Sequence, residues 1–144
     1  MQNLQTMVVR FAAIAGLLGA HVATAAPAKA DNVALGKKVY ESHCAACHGM
    51  NLEGQPNWRT RRPDGKLPAP PHDATGHTWE HSDAILFSVV KNGMAHHAGA
   101  KYQSDMPAFK GKLTDAEIWA AIAYIKSKWP ERIQKKRRFD PAKK

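Results

Sequence analysis

Between residues 50 and 80 the chain carries Pro56, Pro63, Pro68, Pro70 and Pro71, with Gly54, Gly65 and Gly76 among them. Proline lacks an N–H donor and fixes φ, so this stretch cannot be a long helix or a central strand. A loop of that length inside a small domain is ordinarily functional or wrapped around something. The chain is 144 residues long, which is room for one small domain. Such a domain buries only about two thirds of the surface its unfolded chain exposes, so it is commonly stapled by a metal or a cofactor. With two cysteines in the whole chain, a disulfide framework is excluded.

Short helices bracket the loop. Val33, Leu35, Val39, Tyr40 and His43 recur at a spacing of three to four, which predicts a helix over 33–43 with Asp31 or Asn32 as its cap. Ser82 or Asp83 caps a second helix running to Asn92, where Gly93 stops it. Residues 94–112 read as another loop. Thr114-Asp-Ala-Glu117 is a capping box opening the strongest helix, with Ile118, Ala121, Ile122, Ile125 and Trp129 on one face before Pro130. These apolar faces are too few to pack two long loops. A large apolar component from outside the polypeptide is expected.

Charge and hydropathy divide the chain into three. Arg10 precedes an uncharged apolar run, Phe11–Ala20, and small residues follow with Ala-x-Ala sites ending at Ala25 and Ala30. That is the pattern of a secretory signal over 1–30, cleaved near Ala25 or Ala30. An uncleaved anchor is the alternative, although the run is short of the roughly 20 apolar residues of a span. Residues 31–125 hold ten Lys and Arg against ten Asp and Glu. Residues 126–144 hold nine Lys and Arg against Glu131 and Asp140, a net of +7. The reading is a domain over 31–130 and a basic tail over 131–144. Such a tail suits nucleic acid, anionic lipid or an acidic protein, or serves simply as a solvated end.

Cys44-Ala-Ala-Cys47-His48 supplies the missing component, because Cys-x-x-Cys-His is the attachment signature of c-type haem. The two thiols form thioethers to the haem vinyl groups and the adjacent imidazole ligates the iron. A thioredoxin-like dithiol would need a βαβ context, and a zinc site a second ligand pair. A plain disulfide leaves the long loops unexplained.

Carried by that motif, by Gly36 and Tyr40 in the first helix, and by Met106-Pro107-Ala-Phe109 ahead of the last helix, the chain resembles a class I cytochrome c over residues 33–129. The resemblance implies an all-α domain of three to five short helices around one covalently attached haem, and one-electron transfer through a His/Met-ligated iron. His48 is the proximal ligand in that scheme. For the sixth ligand, Met50 and His43 lie too close to the motif to reach the opposite haem face. Met106, fixed locally by Pro107 and far along the chain, is favoured over the Gly-flanked Met94, His96 and His97. The family further implies that a proline carbonyl, from Pro70 or Pro71, accepts the other N–H of His48. Trp58, Arg59 and Trp79 are candidates for meeting the haem propionates.

The function expected is an exported monohaem electron carrier, monomeric, not membrane-spanning, and serving redox protein partners rather than nucleic acid. The alternatives are a haem enzyme or a cytochrome subunit of a periplasmic oxidoreductase. A third, a copper-handling protein, rests on His72, His77, His81, His96 and His97 with Met94.

Overall fold

The computed structural model describes residues 29–136, with side chains from residue 32. Residues 1–28, most of the expected secretory signal, and the end of the tail, 137–144, lie outside the described residues. Six helices follow in order: α1 (Lys29–His43), α2 (Ala45–His48), α3 (Asp83–Asn92), α4 (Ala95–Ala98), α5 (Asp115–Ser127) and α6 (Glu131–Lys136), with one 3-10 turn at Thr78–Glu80. No strand occurs among the described residues, and the fold is the small all-α domain that the sequence implied.

The first and last long helices form the frame. α1 crosses α5 where Gly36 meets Ala120, so tightly that a Cβ on Gly36 would lie 1.9 Å from the Ala120 carbonyl oxygen. Only glycine permits that approach. Tyr40, one α-helical turn on, is fully buried, packs its ring 5.4 Å from that of Tyr124, and donates its hydroxyl to the Gly49 carbonyl at 2.8 Å. α1 is therefore tied both to α5 and to the turn after α2.

α5 opens with the expected capping box. The Glu117 N–H donates to Thr114 Oγ1 at 3.2 Å, and the Thr114 N–H donates to the Glu117 carboxylate at 2.8 Å. The Thr114 N–H and hydroxyl, both donating to the carboxylate, hold the Glu117 carboxyl below its ordinary pKa. Ile118, Ala121, Ile122 and Ile125 are buried as their spacing required. The helix stops at Ser127, short of Trp129, whose indole is nevertheless buried and donates to the His72 carbonyl at 2.8 Å.

Three local expectations are corrected. α1 starts at Lys29, so Asp31 and Asn32 lie inside it rather than capping it. The loop over 94–112 contains one helical turn, α4, set between Gly93 and Gly99, both at positive φ. The basic segment after Pro130 begins as helix α6, with Ile133 only 3% exposed in the cluster of Tyr40, Tyr124 and Trp129. A single apolar side chain among charges had given no periodicity to read.

The long loop is stitched to itself and to the frame. Gln55 and Ala69 exchange two hydrogen bonds, the Gln55 N–H to the Ala69 carbonyl at 2.9 Å and the Ala69 N–H to Gln55 Oε1 at 3.1 Å. The His72 N–H donates to the Leu52 carbonyl at 2.8 Å. Leu52 holds φ at 70°, costly for a branched residue, but its side chain is 3% exposed inside the core. Burial of the isobutyl group, worth about 1.5–3 kcal/mol, offsets that strain.

Candidate functional site

Cys44 follows directly on α1, and α2 is the single turn that carries the rest of the motif. The His48 N–H returns to the Cys44 carbonyl at 2.9 Å, which places Cys44, Cys47 and His48 on one tight loop of backbone. Both thiols are free, Cys44 half-buried and Cys47 exposed. Burial, with the neighbouring Cys47, pushes the Cys44 thiol up to about 11, so it stays protonated at neutral pH.

His48 is 7% exposed, and its Nδ1 lies 2.8 Å from the Pro70 carbonyl oxygen. A carbonyl only accepts, so Nδ1 carries the proton and Nε2 keeps its lone pair. Burial lowers the pKa of the ring, which keeps it neutral. A neutral imidazole with its second nitrogen oriented by a carbonyl is the form in which histidine binds a metal. Of the two prolines weighed, Pro70 meets His48, while the Pro71 carbonyl accepts from Thr78 Oγ1 at 3.3 Å.

Met106 is half-buried and held from both sides. Downstream, the Phe109 N–H donates to the Val90 carbonyl at 3.0 Å and that of Lys110 to Lys91 at 2.9 Å, pinning the segment to the end of α3. Upstream, Asp105 pairs with Arg62 and, at 2.5 Å, with Lys66 of the long loop. Met94 is half-buried at the start of α4, His96 and His97 are exposed, and Met50 is 57% exposed.

The aromatic and basic candidates make these contacts. The Arg59 guanidinium lies 4.3 Å over the Trp58 ring, which stacks at 5.3 Å on His77. Trp79 Nε1 donates to the Gly76 carbonyl at 3.1 Å. Buried nitrogens without a hydrogen-bond partner are found at Arg62 Nε and His77 Nδ1. Burial, with the nearby His81, lowers the pKa of His77. No three His, Cys, Asp or Glu side chains gather into a metal-holding group among the described residues. Of the histidines that suggested copper, His77 pairs with His81 and His96 with His97, their rings 5.2 Å apart in each, while His72 stacks on His48.

The residues fit covalent haem. Two unpaired thiols precede an imidazole already in its ligating tautomer, and α3 offers Leu86, Phe87, Val89 and Val90, all only half-buried in an apolar helix. The family model for cytochrome c matches residues 33–129. The chain belongs to the cytochrome c family.

This cytochrome c carries covalently bound haem c and transfers electrons. It is 35% identical over 98 residues to "Cbb3-type cytochrome c oxidase subunit CcoP" of Azospirillum sp. (strain B510), covering 68% of this chain and 29% of that one. It is 28% identical over 111 residues to "Cytochrome c-555" of Chlorobaculum tepidum, covering 77% of this chain and 90% of that one. A second cytochrome c-555, from Chlorobaculum thiosulfatiphilum, is 32% identical over 96 residues. The chain thus spans less than a third of the length of the CcoP relative and most of a c-555. No solved structure matches it significantly. No described helix is long and apolar enough to cross a membrane.

Sequence reasoning took His72 only as a copper candidate and missed that it lies against His48; it also missed the Arg62–Asp105–Lys66 cluster beside Met106. Each is a contact between distant parts of the chain, and no local pattern announces it.

Proposed function

We propose that this cytochrome c is an exported one-electron carrier, with Cys44 and Cys47 as the thioether anchors and His48 and Met106 as the axial ligands of a single haem. The observation that carries the reading is the hydrogen bond from His48 Nδ1 to the Pro70 carbonyl, beside two free thiols. The haem supplies the redox couple of its iron. The chain orients His48, shields its ring from water, and holds Met106 on a segment braced by α3 and Asp105. Thioether with imidazole raises the potential relative to two imidazoles and closes the iron to added ligands, which suits electron transfer. Trp58 and Arg59 remain candidates for the haem propionates, and Arg62 Nε and His77 Nδ1, buried nitrogens without a hydrogen-bond partner, join them.

Similarity to CcoP supports a second reading, in which the domain is the cytochrome component of a larger oxidoreductase. In either role the partners are redox proteins, and the basic C-terminal end favours an acidic or anionic surface.

Spectra of the ferrous protein with and without carbon monoxide test the proposal. A six-coordinate low-spin haem that does not bind carbon monoxide is expected; rapid binding overturns His/Met ligation and points to a haem enzyme. Cys44→Ser or Cys47→Ser is expected to lower the covalent haem yield, read from stained gels. Undiminished covalent haem in both variants rejects the anchors.

A further inference from the structure

His48 and His72 lie face to face, ring centroids 4.0 Å apart and planes 20° from parallel. Position 72 is held with unusual completeness. Its N–H donates to the Leu52 carbonyl and its carbonyl accepts from Trp129 Nε1, each at 2.8 Å. Its Nδ1 lies 2.7 Å from Thr78 Oγ1, and that buried hydroxyl in turn donates to the Pro71 carbonyl at 3.3 Å. With the single hydroxyl proton directed to Pro71, the Thr78 oxygen accepts Nδ1–H from His72. The ring also meets that of Tyr40 in an edge-to-face arrangement, centroids 6.3 Å apart.

The hydrogen bond to Pro70 fixes one atom of the His48 ring. The torsion between Cβ and the ring is a broad well for histidine, so a single hydrogen bond leaves an arc of orientations open. A flat, rigidly held neighbour at 4.0 Å closes that arc, because rotation in either direction drives His48 into the opposing ring. We infer that His72 is a positioning residue that sets the plane of the His48 imidazole. The inference rests on His48 being the proximal ligand, as proposed above. Partners that orient a metal-bound histidine tune the metal as well as hold the ligand.

The ferric holoprotein provides the readout. The orientation of an axial imidazole plane governs how unpaired spin is distributed over the haem periphery, and the four haem-methyl resonances report it by proton NMR. His72→Ala is expected to change their order and spread. His72→Phe retains a flat ring without the Thr78 hydrogen bond, and is expected to keep the wild-type order. His72→Leu, which fills the space without a flat face, separates stacking from packing and is expected to shift the methyls as Ala does. Wild-type order in both Ala and Leu variants overturns the inference, and so does a Phe variant shifted as far as Leu. If Ala fails to take up haem, the Phe and Leu pair decides alone. Failure of the parent reading is seen separately: hyperfine-shifted His48 ring protons would then be missing from the wild-type spectrum itself.

Discussion

The Lys66 ammonium lies 2.5 Å from a carboxylate oxygen of Asp105, the residue directly before Met106. Arg62 takes the other oxygen, and the Arg61 guanidinium lies 5.8 Å over the ring of Tyr102. The long proline-rich loop therefore grips the segment that presents the proposed sixth ligand. Hydrogen bonds from Lys66 and Arg62 hold the Asp105 carboxyl below its ordinary pKa. A depressed carboxylate favours the folded arrangement above the ordinary carboxylate pH range, and that contribution fades as pH falls through its lowered value.

Asp105→Asn is accordingly expected to admit imidazole to the ferric iron several-fold faster than wild type. The wild-type rate should rise with added salt, since these side chains are partly exposed and screened. The Asn variant should lose most of that dependence, and its acid transition should move to higher pH. Stopped-flow mixing and a spectral acid titration measure both. Identical salt slopes for the two proteins would show that the grip is ornamental to the ligand.

Met106→Ala should open the iron to carbon monoxide and lower the potential, while Met94→Ala should change neither. Axial-ligand identity spans about 0.8 V across haem proteins, so electrochemistry resolves the difference readily. The reverse pattern would transfer the ligand to Met94.

Gly36→Ala places a methyl group where the Ala120 carbonyl already stands. The obstacle is backbone, so α1 and α5 must separate. Overpacking of this kind costs typically about 1–3 kcal/mol and occasionally more. Thermal unfolding of the haem-loaded protein should show a lowered midpoint with a little-changed spectrum. An unchanged midpoint would mean that the two helices slide apart freely.

Truncation separates the two parts of the basic end. Removing everything after Pro130 deletes Ile133 from the core and the Gln134 hydrogen bond to the Trp129 carbonyl. A loss of about 2 kcal/mol or more is expected. Removing residues 137–144 takes away Arg137, Arg138, Lys143 and Lys144 against Asp140. That shorter cut should leave stability intact and flatten the salt dependence of association with an acidic redox partner. Equal association rates at low ionic strength would assign the distal charges to solubility alone.

What was legible in the sequence was local. Cys44, Cys47 and His48 are spaced by the attachment chemistry, and Thr114 with Glu117 is a closed pair within one helical turn. The helical class followed from those signals and from the prolines that forbid strands. His72 could not be read as the neighbour of His48, because the contact exists only once the long loop has folded back and Pro70 has met the motif. The roles of Arg62 and Lys66 depend on Asp105, far along the chain, and in sequence they look like solvated charge. Ile133 was hidden for the opposite reason: its partners Tyr40 and Trp129 are evident, but nothing beside it repeats.

The crossing at Gly36 and Ala120 also dictates an order of assembly. One partner lies just before the attachment motif, and the other near the end of the described chain. Without α5, α1 lacks the surface it closes against, and the turn that carries the two thiols is not latched at that crossing. Contacts so distant in sequence are slow to form. α5, late in the chain, is thus the bolt across a frame whose other half stands beside Cys44.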